Sequence, residues 1–355
     1  MMKKKGIGII FLCWIFLFSI AHIVIDDEEI STSERRYLKK FPQFTLSGEY
    51  AEDMEDYLLD HFPFRDTFRS IKANFNYHVL QKSDNNGISI NSNGIFKSDY
   101  PTNYKSVENF IVKTDQIKQL LTENNHAYMM LVPDKNYYLD NERFLPIDYD
   151  FLYQEIQRLD MPVIDLRDVM ELEDYYQTDT HWKQERLQKV VRKLSDSMQF
   201  PYQEDINTEH IFDDFYGVLY GQSAVKRKPE PLIYLTNKSI ENANVQYLEN
   251  PKLHTVYNED KLKSWDAYEV YLDGANAYIE ITNDIASTEK ELVVFRDSFG
   301  SSFVPLLIPY YSKITVIDNR YISSENFLKQ IEFKNQDVLF LYSTVMMNNS
   351  YSFKG

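Results

Sequence analysis

An uncharged apolar run from Gly6 to Ile25 opens the chain, and beyond it the hydrophobic positions follow two alternating rhythms. Phe41-Pro42-Gln43-Phe44 reads as a short extended piece. Helical spacing then passes through Tyr50, Met54, Tyr57, Leu58 and Phe62, and resumes near Arg65 with Phe68, Ile71 and Phe75. From about residue 86 the rhythm changes to short strands punctuated by glycine, Gly87 to Ile90 and Gly94 to Lys97. A helix from Val107 to Asn124 leads to an apolar strand, Ala127 to Val132, stopped by Pro133. The alternation continues with Pro162 to Leu166 as strand, Lys183 to Ser197 as helix and Glu291 to Phe295 as strand. It ends with a helix after Gly300, strand Ile314 to Ile317, helix Glu325 to Ile331 and strand Val338 to Tyr342. Short apolar strands separated by amphipathic helices predict an α/β fold with a parallel sheet covered on both faces. Residues 208 to 283, rich in Tyr, Asn and Asp, read as an irregular or β-rich insertion whose strand order the pattern does not give.

Lys3, Lys4 and Lys5 precede the opening apolar run, and Asp26, Asp27, Glu28 and Glu29 follow it. About 20 residues at about 1.5 Å each match the roughly 30 Å of a bilayer core. The run is long for a signal peptide, and the small-residue pattern Ser19-Ile20-Ala21 lies inside it, which favours an uncleaved anchor over a cleaved leader. Positive charge on one flank places the lysines in the cytoplasm and the rest of the chain outside the cell membrane. The alternative is a buried helix in a soluble protein. The expected organisation is therefore an anchor over 1–27, a helical approach segment over 28–80 and a catalytic domain over 81–355 that carries the 208–283 insertion.

The single cysteine, Cys13, falls inside that run, so the exported part is expected to fold without disulfides and without cysteine metal ligands. The histidines are scattered without the clustering a metal centre needs, and no metal or cofactor is expected. With 38 basic against 54 acidic residues the net charge is −16, and no basic stripe interrupts it. That field disfavours nucleic acid as a partner.

Two short motifs carry candidate chemistry. Ser298 follows the apolar strand Leu292-Val293-Val294-Phe295 and precedes a helix, a position at which α/β sheets expose ligand-binding groups near helix amides. Ser298 or Asp297 can equally be a helix cap. Asp179-Thr180-His181-Trp182 stands in a polar turn before the next helix. Residues two apart in an extended segment point the same way, so Asp179 can fix the tautomer of His181 and leave its other nitrogen free for a proton. A turn aspartate capping the following helix explains the same letters.

Several ordered motifs along the exported part resemble the DHHW family of bacterial membrane-anchored proteins, related to the AlgJ/AlgX-type polysaccharide O-acetyltransferases. They are Glu34-Arg35-Arg36-Tyr37-Leu38 with Phe41-Pro42, Asp60-His61-Phe62-Pro63-Phe64-Arg65, Val132-Pro133-Asp134-Lys135, Thr178-Asp179-Thr180-His181-Trp182, Asp297-Ser298-Phe299-Gly300 and Asp318-Asn319-Arg320-Tyr321. Thr180 departs from the name-giving tetrad by replacing its first histidine, as the acetyltransferase branch commonly does. Arg296 stands where the hydrolase nucleophile block usually has glycine. The resemblance implies an SGNH-hydrolase-like three-layer fold with a permuted motif order, in which the Asp-His pair precedes the serine.

The resemblance further implies that Ser298 attacks an acetyl donor, His181 takes its proton, Asp179 stabilises the imidazolium, and the acyl-serine passes its group to a hydroxyl of a cell-surface or secreted polysaccharide. Ser298 N–H would hold the oxyanion, with Gly217 or Asn348 as second donor and Arg296 counted on the oxyanion or substrate side. A multi-pass membrane O-acyltransferase would supply the acetyl group from the cytoplasm. Two other readings share these residues: an extracellular esterase that gives the acyl-enzyme to water, and an inert envelope scaffold or glycan-binding module in which Ser298 is a cap.

Overall fold

Along the central strands, successive residues enter opposite hydrophobic cores, and this sidedness builds the fold of the computed structural model, which describes residues 2–139, 144–204 and 207–354. Met130, Val132, Leu292, Val294, Leu339 and Leu341 face one core, while Met129, Leu131, Val293, Phe295, Val338 and Phe340 face the other. A strand buried on both faces must be apolar at every position, which is why these segments read as continuous runs.

The chain divides into two units, Met1–Asn85 with Tyr220–Arg227, and Asn86–Leu219 with Lys228–Gly355. In the first, α1 (Met2–Val24) is followed by a small ribbon, β1 (Ile30–Ser31) and β2 (Arg36–Tyr37), and by two helices, α2 (Gly48–Asp60) and α3 (Arg65–Asn74). Gly6–Val24 of α1, 19 residues with a window of mean hydropathy 2.6, is long and apolar enough to cross a membrane. Glu34 and Asp60 hold Arg36, Arg65 and Arg69 in one ionic cluster, which explains why the Glu34-Arg35-Arg36 and Asp60-to-Arg65 motifs occur together.

The second unit opens with hairpin β3 (Ile88–Asn91) and β4 (Gly94–Lys97), then α4 (Tyr104–Lys118), β5 (His126–Val132), α5 (Tyr149–Glu155), β6 (Val163–Asp165) and α6 (Gln188–Met198). A second hairpin, β7 (Thr208–Phe215) and β8 (Glu230–Thr236), precedes β9 (Asn244–Tyr247), β10 (Asn250–His254) and β11 (Tyr278–Thr282). Strands β12 (Glu291–Arg296), β13 (Lys313–Ile317) and β14 (Asp337–Ser343) complete it. The sheet order is β10-β9-β11-β13-β12-β14-β5-β6, parallel from β13 to β6 and antiparallel from β10 to β13. Val190, Val191 and Leu194 of α6 cover one face, and Phe110 and Ile111 of α4 with Leu152 of α5 cover the other. The result is a three-layer α/β fold.

The structure differs from the sequence reading in three places. The 208–283 stretch is more than an insertion, because β9 to β11 extend the main sheet by three antiparallel strands. The helix expected from Lys183 begins as a tight turn, Gln184–Arg186, before α6, because the Gln184 side chain is taken by the main chain of Leu235 and Ser302. The helix expected over Glu325 to Ile331 is a single turn, Ser324–Phe327.

Candidate active site

Parallel strands deliver their carboxyl ends to one edge, and the two chemical motifs meet there. Ser298 stands two residues beyond the end of β12, and the strand register puts Arg296 beside Leu341 of β14. The turn is pinned by Asp297, whose Oδ1 accepts from Phe299 N at 2.9 Å and whose Oδ2 accepts from Ser343 N and Oγ at 2.8 and 2.7 Å. Asp297 thus caps the short helix Phe299–Phe303, and the Ser298 hydroxyl makes no capping bond. That hydroxyl lies 2.8 Å from His181 Nε2.

His181 in turn presents Nδ1 to Asp179 Oδ1 at 2.6 Å, while its own N–H donates to the same oxygen at 3.0 Å. An ionised Asp179 accepts only, so Nδ1 carries the hydrogen and Nε2 is left to accept from Ser298. Asp179 Oδ2 accepts from Val218 N at 2.8 Å, and the side chain is 1% exposed. The imidazole ring stacks on Tyr268 at 4.1 Å and 13° and is flanked by Phe299 at 5.0 Å. Tyr268 donates to Ser302 Oγ at 2.8 Å, and burial holds its pKa well above the usual phenol range, so it stays a neutral donor.

The loop that carries Asp179 and His181 is fixed from several sides. Tyr175 bridges to Trp182, closing it at its base, and the Trp182 indole donates to Phe299 O and Ser302 Oγ at 3.0 and 2.9 Å. Lys135, buried, donates to the carbonyls of Tyr176 and Asp179 at 3.1 and 2.7 Å. Glu230 accepts from Thr178 N and Oγ1 at 2.8 and 2.6 Å. A Cβ on Gly217 would stand 2.3 Å from Asp179 Cβ, so only glycine lets this backbone lie against the loop.

The remaining expected site residues are placed differently. Gly217 N donates to Thr178 Oγ1 at 3.0 Å, and the Asn348 amide donates to the carbonyl of Asp99 at 2.9 Å while its oxygen accepts from Asn103 N at 2.7 Å. Both sets of donors are committed to loop architecture. Arg296 is 1% exposed, and its guanidinium binds Ser301 Oγ at 3.0 Å and the carbonyls of Asp297 and Gly274, with Asp318 at 3.6 Å. It braces the serine turn from within. Among the described residues, the Ser298 N–H has no acceptor, leaving it available to an oxyanion.

Tyr268 and Glu230 carried no sequence signal. Tyr268 is one of 27 tyrosines and Glu230 lies in the irregular stretch, so each acquires meaning only through the fold. Lys135 was legible as part of its motif but not as a clamp on Asp179. Among the described residues no group of three or more His, Cys, Asp or Glu side chains could hold a metal ion.

No family model and no curated protein matches the chain. Solved structures do. A DHHW family protein from Eubacterium siraeum superposes with a TM-score of 0.64 at 18% identity, covering 76% of this chain and 95% of that one. Bacillus cereus PatB1 gives 0.59 at 19% identity over 74% and 97%, and its sulfonyl adduct gives 0.60 at 18% identity over 76% and 98%. The chain therefore has the fold that its motif resemblance implied.

Proposed function

We propose that the protein is a membrane-anchored serine O-acyltransferase that moves an acetyl group onto hydroxyls of an extracytoplasmic polysaccharide. The observation that carries the reading is the continuous chain from Asp179 Oδ1 through His181 to Ser298 Oγ, with the helix cap supplied by Asp297 instead of the serine. A capping serine would spend its hydroxyl on the helix. This one faces a base.

In the first half-reaction Ser298 Oγ attacks the acetyl carbonyl as its proton passes to His181 Nε2, and Asp179 stabilises the imidazolium. The oxyanion forms beside Ser298 N–H. Collapse breaks the bond to the leaving group, which takes the proton from Nε2 and leaves acetyl-serine. A sugar hydroxyl then gives its proton to the same nitrogen and attacks the acetyl-serine carbonyl; the bond from that carbon to Ser298 Oγ breaks, Oγ takes the proton back from His181 Nε2, and the sugar leaves as its acetyl ester. Stacking on Tyr268 keeps the imidazole in one plane through both halves. That PatB1, of similar fold, has been solved with a sulfonyl adduct is in keeping with the reading.

Within this reading α1 remains as the anchor, the catalytic residues lie on the exported side, and a multi-pass membrane acyltransferase presents the acetyl group. The test uses the full chain in detergent with p-nitrophenyl acetate, with and without β-linked glucosamine or glucose oligosaccharides. Acetylated oligosaccharide that depends on Ser298 supports transfer. Acetate release with no acetylated sugar would make the protein an esterase, and unchanged turnover in Ser298→Ala would remove the enzyme reading altogether.

A further inference from the structure

The helix α3 has an apolar side that its unit covers only where Phe68 meets α1. Phe64, Phe68, Ile71, Phe75 and Val79 recur at helical spacing through α3 and the wider turn Phe75–Val79 that follows it, and they are 36% to 64% exposed. The side packed inward is a different one, formed by the buried Ala73, Asn76 and Tyr77, with Asn76 donating to Asn85. A helix already packed through one face has no folding reason to carry five large apolar residues on another.

Two observations identify what that second face meets. The first is depth. Phe62 stacks on Phe18 of α1 at 5.3 Å, and Phe68 lies 5.8 Å from Phe18 and 6.4 Å from Trp14. At about 1.5 Å per residue, Phe18 and Trp14 lie roughly 9 and 15 Å inside the outer end of α1, so an α1 that spans a bilayer carries Phe62 and Phe68 into the outer hydrocarbon layer. The second is charge. The chain is strongly acidic, yet residues 64 to 82 hold Arg65, Arg69, Lys72 and Lys82 against Asp66 alone. The neighbouring α2, with Glu49, Glu52, Asp53, Glu55, Asp56 and Asp60, has the opposite character. Lys72 and Lys82 are exposed beside the apolar stripe.

We infer that α3 and the turn after it form a second membrane contact, lying in the outer leaflet against α1 with Ile71, Phe75 and Val79 among acyl chains and Lys72 and Lys82 at anionic headgroups. The inference rests on the anchor reading of α1 for its depth, but its own residues test it. Such a shoulder would restrain the rotation that a single span permits and fix which side of the anchor the following chain leaves from.

The full chain is reconstituted into vesicles of phosphatidylethanolamine and phosphatidylglycerol and labelled at one site at a time with an environment-sensitive fluorophore. The sites are the native Cys13, or Ile71→Cys, Phe75→Cys or Glu52→Cys in a Cys13→Ser background, each variant first shown to retain ester turnover. Labels at 71 and 75 should be blue-shifted and lose about half their emission or more to nitroxide-bearing lipid, while the label at 52 stays accessible to aqueous iodide. Lys72→Glu with Lys82→Glu should weaken the quenching in anionic vesicles and leave it unchanged in phosphatidylcholine. Labels at 71 and 75 open to iodide would overturn the inference. Shielding from iodide and lipid alike would overturn it too, because a protein surface then covers the stripe. Failure of the Cys13 label to be quenched would defeat the anchor reading separately.

Discussion

Lys135 Nζ donates to the main-chain carbonyl of Asp179 at 2.7 Å, so a buried cation grips by its backbone the same residue whose carboxylate serves His181. The cation also holds the carbonyl of Tyr176, and both contacts lie away from the reacting atoms.

Lys135→Met keeps the length of the side chain and leaves those carbonyls without their charged donor. Charge-assisted bonds of this kind are worth about 1.5–3 kcal/mol each, and the uncompensated carbonyls add to the loss. The expected result is a melting temperature lower by several degrees and a kcat lowered more than KM is raised, read by thermal unfolding and ester kinetics.

Asp179→Asn preserves the shape of the acid and removes its charge. An amide can donate to Nδ1, which favours the hydrogen on Nε2, the nitrogen that must accept from Ser298. Turnover should fall on the order of 10⁴-fold, and the melting temperature should drop by a few degrees, because the amide nitrogen must face the backbone N–H of either His181 or Val218. Equal activity in the variant would mean that His181 is oriented by its Tyr268 stack alone.

Gly217→Ala places a methyl 2.3 Å from both Asp179 Cβ and the Thr178 carbonyl, a clash with the catalytic loop itself. The loop must move, and displacement of a base by even about 1 Å can cost roughly 10²-fold in rate. Gly87→Ala is the control, where a Cβ meets nothing within 4 Å although φ is +75°. Its cost should fall on stability and leave turnover intact.

Asp99 supplies a pH prediction. Burial, reinforced by the neighbouring Asp134 carboxylate, pushes its pKa up to about 6. The folded protein therefore binds the proton more tightly than the unfolded chain does. Between the ordinary carboxylate pKa near 4 and about 6, rising pH ionises the unfolded state first, so stability falls through this window and the loss is complete above it. Asp99→Asn should raise the melting temperature at pH 7.5 and give no gain at pH 4, with the main-chain carbonyl of residue 99 still accepting from Asn348. A gain that is the same at both values would assign the effect to packing.

The layered α/β fold was legible because its strands are buried on both faces and its helices on one, and both conditions print a period on the sequence. Ser298, His181 and Asp179 were legible as residue types in suitable turns, yet the letters alone could not separate a nucleophile from a helix cap. That Asp297 takes the capping role and leaves the Ser298 hydroxyl to His181 is a fact that exists only in three dimensions. The antiparallel extension β9 to β11 escaped notice since its strands are short and interleaved with polar turns. The tyrosine beneath His181 escaped for a different reason: nothing local distinguishes a ring that stacks on a histidine from one that fills a core.

The strand order has a consequence for how the site is assembled. The last strand made, β14, lies between β12, which leads to Ser298, and β5, which pairs with the β6 side of the sheet from which the Asp179–His181 loop follows. Its terminal Ser343 also completes the grip on Asp297. His181 and Ser298, 117 residues apart in sequence, thus share no common frame until residues 337 to 343 lie between their segments. The arrangement of Asp179, His181 and Ser298 is therefore a property of the closed sheet and of neither motif-bearing segment before β14 is seated between them.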